Sequence, residues 1–195
     1  MIRYIYLIEV YTGSINQDMS PYNSFSPIAR VHGSFIQGII SAVGTFRSMV
    51  EEILLSHNIA EIQPDGWYLL QDCLDILKSI AQKTGDKTMF MIGNAAVKAA
   101  VTPASPGSIE EAILQQDQYY KMNHKGDGGG FTINSINSTS ASMLVRTPYP
   151  IGLIMGAAHA NLSRFAANLK ITLDTANPKQ PPEDDIYPFL ITWEK

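Results

Sequence analysis

The chain has 195 residues, 45% of them hydrophobic and 16% charged, which fits one large domain or one domain with an extension and is too apolar for a disordered protein. Its 14 Lys and Arg face 18 Asp and Glu, for a formal net charge of -4; with no basic run or stripe, nucleic-acid binding is not expected, because it needs several cations facing phosphates. The single cysteine, Cys73, excludes a disulfide framework within the chain.

The first residues, MIRYIYLIEVYTGS, are apolar but broken by Arg3 and Glu9. They are too short and too charged for a membrane span and lack the three-part layout of a signal peptide. A cytoplasmic location without a membrane span is the expectation. β-branched and aromatic residues at 2–11 predict a strand. Residues 12–33, polar and containing Pro21 and Pro27, predict a loop.

Ser34 can cap a helix of about 20 residues, in which Phe35, Ile39, Phe46, Val50 and Ile53 recur at helical spacing. Gly38 and Gly44 weaken it or permit a close neighbour. Asp65 caps a second helix whose face carries Trp67, Leu70, Leu74, Leu77 and Ala81, with Gly85 as its stop. A third helix is predicted near 89–100. Ser108 and Glu111 form a capping-box pattern for a fourth, which ends near His124. The period then changes. Phe131, Ile133 and Ser135 alternate, as do Ala141, Met143 and Val145, which predicts a hairpin. A fifth helix runs from Ile151 to about Ala167. Leu169, Ile171 and Leu173 predict a strand, 174–185 an acidic Pro-rich loop, and Tyr187, Phe189, Ile191 and Trp193 a last strand. Segregated helices and alternating strands without βαβ repeats predict an α+β fold, helices followed by a mostly antiparallel carboxy-terminal sheet.

No catalytic or metal-binding motif emerges. Gly128, Gly129 and Gly130 lack the Lys-Ser or Lys-Thr of a phosphate loop and follow a helix, so they read as a turn. His32, His57, His124 and His159 have no metal-ligand spacing. His124, at a helix end, can bond the last carbonyls. Cys73 lies in a helical pattern with nothing to activate it and reads as a small buried hydrophobe. An enzyme is not favoured. Met89, Met91, Met143 and Met155 with several aromatics can line an adaptable apolar pocket or simply fill a core. The expected ligand site lies between helices and sheet, at Trp67, Leu70, Phe90, Met143, Tyr149, Met155 and His159. Tyr149 or His159 would supply a polar contact.

The segment Arg146-Thr-Pro-Tyr-Pro-Ile-Gly-Leu-Ile-Met-Gly156 resembles the signature of vinyl-reductase-type small-molecule-binding domains, in which a strand ends in a Pro-aromatic turn and a glycine opens a helix. The closing strand Tyr187-Pro-Phe-Leu-Ile-Thr-Trp193 and the stretch from Gly66 to Gly93 are similar too. The resemblance covers roughly residues 60–194 and implies the fold superfamily of vesicle-tethering-complex small subunits and haem-based nitric-oxide sensors. It implies a sensory or regulatory module for a small apolar or tetrapyrrole-like ligand, with haem among the candidates. Several members carry cysteines where this chain has Tyr149, Pro150 and Phe189, so thiol or metal chemistry is not carried over. Residues 60–195 would be the binding domain, and residues 1–59 an added strand, loop and dimerisation helix. A homodimer and a regulatory protein partner are expected. The alternative is a structural or signalling-partner dimerisation module without a ligand.

Overall fold

The computed structural model describes residues 22–44, 47–57, 59, 61–84, 86–174 and 185–194. The strand predicted at 2–11 and nearly all of the acidic loop lie outside them. The described chain opens on a strand, β1 (Arg30–His32), inside the predicted loop. Helices α1 (Gly33–Ala42) and α2 (Arg47–Ser56) follow. The predicted 20-residue helix is therefore two. Gly44, at φ +45°, takes the chain out of α1 in a left-handed conformation that glycine adopts without steric cost. The cap of α1 is His32, not Ser34: its Nδ1 accepts from the Ser34 amide at 3.4 Å.

A second correction concerns Trp67. It lies in strand β2 (Trp67–Leu69), and helix α3 (Leu70–Thr84) begins only afterwards. Leu70, Cys73, Leu74, Leu77 and Ile80 form the buried stripe of α3. Helix α4 (Asp86–Ala96) follows. The predicted fourth helix is split into α5 (Ile109–Leu114) and α6 (Gln116–Asn123). Ser108 Oγ accepts from the Glu111 amide at 3.2 Å, as its pattern implied, but the Glu111 carboxylate takes the Gly107 amide at 2.7 Å. Strand β3 (His124–Lys125) joins β1 and β2 in a small antiparallel sheet of order β2-β1-β3.

The carboxy-terminal half follows the predicted order: β4 (Gly130–Ile136), β5 (Ser140–Arg146), α7 (Ile151–Leu162), β6 (Ala167–Leu173) and β7 (Ile186–Glu194). The four strands form one antiparallel sheet of order β4-β5-β7-β6. The Asn137 side-chain oxygen closes the hairpin by accepting from the Thr139 and Ser140 amides, at 3.0 and 2.9 Å. Because side chains alternate across a sheet, Ala141, Met143 and Val145 of β5 share the buried face with Phe189, Ile191 and Trp193 of β7. Met143 sits directly opposite Phe189.

The helical layer is built on glycine. A Cβ on Gly38 of α1 would lie 2.7 Å from the Ala96 backbone of α4. One on Gly93 of α4 would lie 1.9 Å from the Leu153 carbonyl oxygen of α7, and one on Gly156 of α7 would lie 2.0 Å from that of Phe90. Gly156 thus lets α7 approach α4. The core runs from Val31, Phe35, Ile36 and Ile39 through α3, α4 and α7 to β5 and β7 as a single cluster. No helix among the described residues is long and apolar enough to cross a membrane.

Candidate ligand-binding site

Where α6 runs into β3, the chain buries a connected polar group. His124 is 7% exposed and Tyr149 is fully buried. His124 Nδ1 lies 2.9 Å from the Tyr120 carbonyl oxygen, which can only accept, so Nδ1 carries the proton. Nε2 then accepts from the Tyr149 hydroxyl at 2.8 Å. The Tyr120 ring stacks on the imidazole at 4.0 Å between centroids, and its hydroxyl donates to the Gly128 carbonyl at 2.7 Å. Phe35 of α1 lies edge-on to both His124 and Tyr149. Burial lowers the His124 pKa to about 4. The imidazole is therefore neutral near pH 7, in agreement with its two bonds. Burial also pushes the Cys73 thiol up to about 12, so it stays protonated and is no nucleophile. Among the described residues no group of three or more His, Cys, Asp or Glu could hold a metal ion.

Two small chambers lie on this side of the molecule, and the inner one adjoins the group. The inner one, about 30 Å³, is bounded by α1, α6, β4 and α7, with Phe35, Phe131, Ile154, Ala157, Ala158 and His124 in its walls. The outer one, about 60 Å³, has Thr102, Pro103, Gln115, Arg164 and Phe165 around it. Gln116, Tyr119 and Asn161 line both. Gln116 and Asn161 are nearly buried, at 5% and 8% exposure.

The residues expected at a ligand site fall into separate places. Leu70 and Met143 are core residues, at 0% and 1% exposure. Tyr149 belongs to the polar group beside the inner chamber. Phe90 and His159 meet across α4 and α7, with rings 5.7 Å apart, and His159 Nδ1 lies 3.5 Å from Asn94 Nδ2. Half-burial lowers the His159 pKa. Met155 is half-buried on α7. Trp67 packs in the small sheet, edge-on to His32 and under the Lys125 ammonium, 3.8 Å from its ring centroid. Neither chamber is lined by Trp67, Phe90, Met155 or His159. Met155→Ala is accordingly expected to cost only about 1 kcal/mol, the share of a half-buried methionine, as read from a urea melt.

The polar lining was less legible. Asn161 falls three residues after Ala158 on the apolar stripe of α7, and a polar residue at such a position is a signal that was open to reading. Arg164 and Gln115 carried none.

No family model matches the sequence, and no curated protein matches it. Solved structures do. The Fe(II) unliganded H-NOX protein from K. algicida superposes with a TM-score of 0.65 over 84% of this chain and 97% of that one, at 14% identity. The fold is that of the H-NOX proteins. An oxygen-binding H-NOX domain related to soluble guanylate cyclases, solved as its oxygen complex, gives 0.62 over 84% and 93% at 15% identity. The H-NOX likeness agrees with the α+β class and with the fold that the segment 146–156 implied.

Proposed function

We propose that this chain is a sensory or regulatory binding module that uses the H-NOX fold to hold a small apolar ligand between helices and sheet, beside the His124–Tyr149 pair. The observation that carries the reading is the fold itself, joined to an apolar chamber at the meeting of α1, α6, β4 and α7. Within this superfamily the vinyl-reductase-type branch remains the reading of residues 146–156. Tyr149 is the one residue of the expected set that touches the polar group next to the chamber.

Haem is the first ligand to weigh, since one similar structure concerns haem distortion in the H-NOX family. The described residues do not fit it. Ligand pockets for molecules of drug size occupy roughly 300–1,000 Å³, against about 30 and 60 Å³ here. An axial bond needs a free imidazole, thiolate, thioether or phenolate. Both nitrogens of His124 are engaged, Cys73 is a protonated thiol, burial raises the pKa of Tyr120 and Tyr149 further above the ordinary tyrosine value, and His159, Met143 and Met155 line neither chamber. The ligand is therefore smaller than a tetrapyrrole.

A second reading, a partner-binding homodimer without a ligand, draws support from the same dense core and from apolar side chains left outside, Leu55 at 64% and Met91 at 68% exposure. Native mass spectrometry of protein purified from its own host separates the two. The expected result is a small bound mass that organic extraction removes, with no Soret band after haemin is added. A bare mass would reject the ligand reading, and twice the chain mass would support the dimer.

A further inference from the structure

Of the polar side chains around the outer chamber, Gln116 and Tyr119 bond to the Ala112 and Val97 carbonyls, whereas Gln115 and Asn161 stand apart. The buried Oε1 of Gln115 has no hydrogen bond. The Asn161 carboxamide, on a residue only 8% exposed, bonds to no other described residue and lines both chambers. Gln115 and Asn161 are amides, so each can turn an N–H or an oxygen toward a ligand. The Arg164 guanidinium stands at the outer wall, with no carboxylate among the described residues to pair with it. Its position over the Phe165 ring, 5.3 Å from the centroid, leaves its N–H groups available. Inward of these groups the lining turns apolar, with Phe131, Ile154 and Ala157. A guanidinium and the Gln115 amide outside, the Asn161 amide shared by both chambers and an apolar end describe a molecule with an anionic head and a short hydrocarbon tail.

We propose that the two chambers together form the site of a short-chain monocarboxylate, with its carboxylate on Arg164 and the Gln115 and Asn161 amides and its tail in the inner chamber. The proposal rests on the small-ligand reading above and names the class of ligand. Size sets the tail length. At about 10–15 Å³ of such space per water-sized group, the chambers take roughly six to nine heavy atoms, so an acid of about four to seven carbons fills them. Planar guanidinium and carboxylate match in a paired geometry that an ammonium or an alcohol cannot copy. The two amides supply the remaining donors once turned N–H inward, and without a ligand the buried Gln115 oxygen forgoes a hydrogen bond.

The test is a titration of the full chain, followed by amide NMR, with butyrate, hexanoate, decanoate and hexan-1-ol. Hexanoate is expected to bind about tenfold more tightly than butyrate, the gain from two buried methylenes, and decanoate no more tightly than hexanoate. Hexan-1-ol should bind about tenfold more weakly than hexanoate. Arg164 is exposed, so Arg164→Gln should leave the fold intact while removing the preference for the acid over the alcohol. Ala157→Leu, which fills the inner chamber, should abolish the gain from butyrate to hexanoate and leave butyrate bound. Equal affinities for acid and alcohol, or undiminished hexanoate binding by Arg164→Gln, would overturn the carboxylate assignment while leaving a small apolar ligand in place. No binding of any of the four compounds would overturn the assignment as well; recovery of an uncharged apolar molecule from host protein would then uphold the broader reading alone.

Discussion

Gly156→Ala is expected to destabilise the protein by about 3 kcal/mol or more, moving the urea midpoint down by roughly 1–2 M. The added methyl has no place to go. It would stand 2.0 Å from the Phe90 carbonyl oxygen and 3.0 Å from the Asn94 amide nitrogen, both backbone atoms of α4. Backbone cannot swing aside as a flexible side chain can, so relief requires α4 and α7 to separate. These two helices carry the main contact of the helical layer, and α4 is itself held against α1 at Gly38 and Ala96. Separation would loosen the seating of Ile92, Leu153 and Ile154, all buried. Overpacking of an ordinary core costs about 1–3 kcal/mol; contact with a fixed carbonyl stands at or above the top of that range. Helix propensity works in the opposite direction, favouring alanine by about 1 kcal/mol. A midpoint unchanged or raised by the substitution would show that the helices are not pressed together at this glycine.

Acidification from pH 7 to pH 4.5 is expected to remove about 2–3 kcal/mol of stability through His124 alone. The sign follows from its environment. In the unfolded chain His124 titrates near 6.5, whereas in the folded chain burial depresses its pKa to about 4. Between these values the unfolded state binds more protons, so stability falls as pH falls. The full contribution is present above about pH 6.5 and is lost progressively toward pH 4. His124→Gln keeps a donor for the Tyr120 carbonyl and an acceptor for the Tyr149 hydroxyl but cannot titrate. Urea melts of both proteins at several pH values should therefore converge on acidification, the wild type losing about 2–3 kcal/mol more than the variant. Parallel curves would mean that His124 already titrates normally. Asp127, held below the ordinary carboxylate range by its hydrogen bond to Arg146, acts at lower pH and leaves this window clear.

Much of the sheet was legible because alternation is a two-residue signal that needs no tertiary context. Ala141, Met143 and Val145, and Phe189, Ile191 and Trp193, are buried as that alternation required. The small sheet was not legible. Its strands of two and three residues are too short to show a period, and Trp67, three residues before Leu70, mimics a helical spacing. The break after α1 was hidden for a related reason. Apolar residues continue across Gly44 at helical intervals, and only backbone conformation reveals the turn.

The site was less readable than the fold. Tyr149 could be named because a tyrosine between two prolines at the end of a strand is conspicuous. His124 looked like a helix-end residue, and it does bond the carbonyl of the last turn. What sequence could not convey is that β3 pairs with β1 at this point and brings the ring beneath Phe35. Asn161 acquires its place from the packing of α7 against α5, and Arg164 from the turn that follows α7, both of which depend on distant parts of the chain. Hydrophobic pattern says which residues are withdrawn from water. It does not say where two half-filled surfaces will leave a gap.

The sealed position of Cys73 makes the molecule its own gauge of opening. As the sole sulfhydryl in the chain, at 1% exposure and protonated at neutral pH, it can meet a thiol reagent only when α3 parts from its neighbours. The rate of modification in dilute reagent thus reports the population of opened molecules rather than the chemistry of the sulfur. A ligand that binds the closed form would slow that rate in proportion to its occupancy, giving a binding assay that needs no signal from the ligand itself.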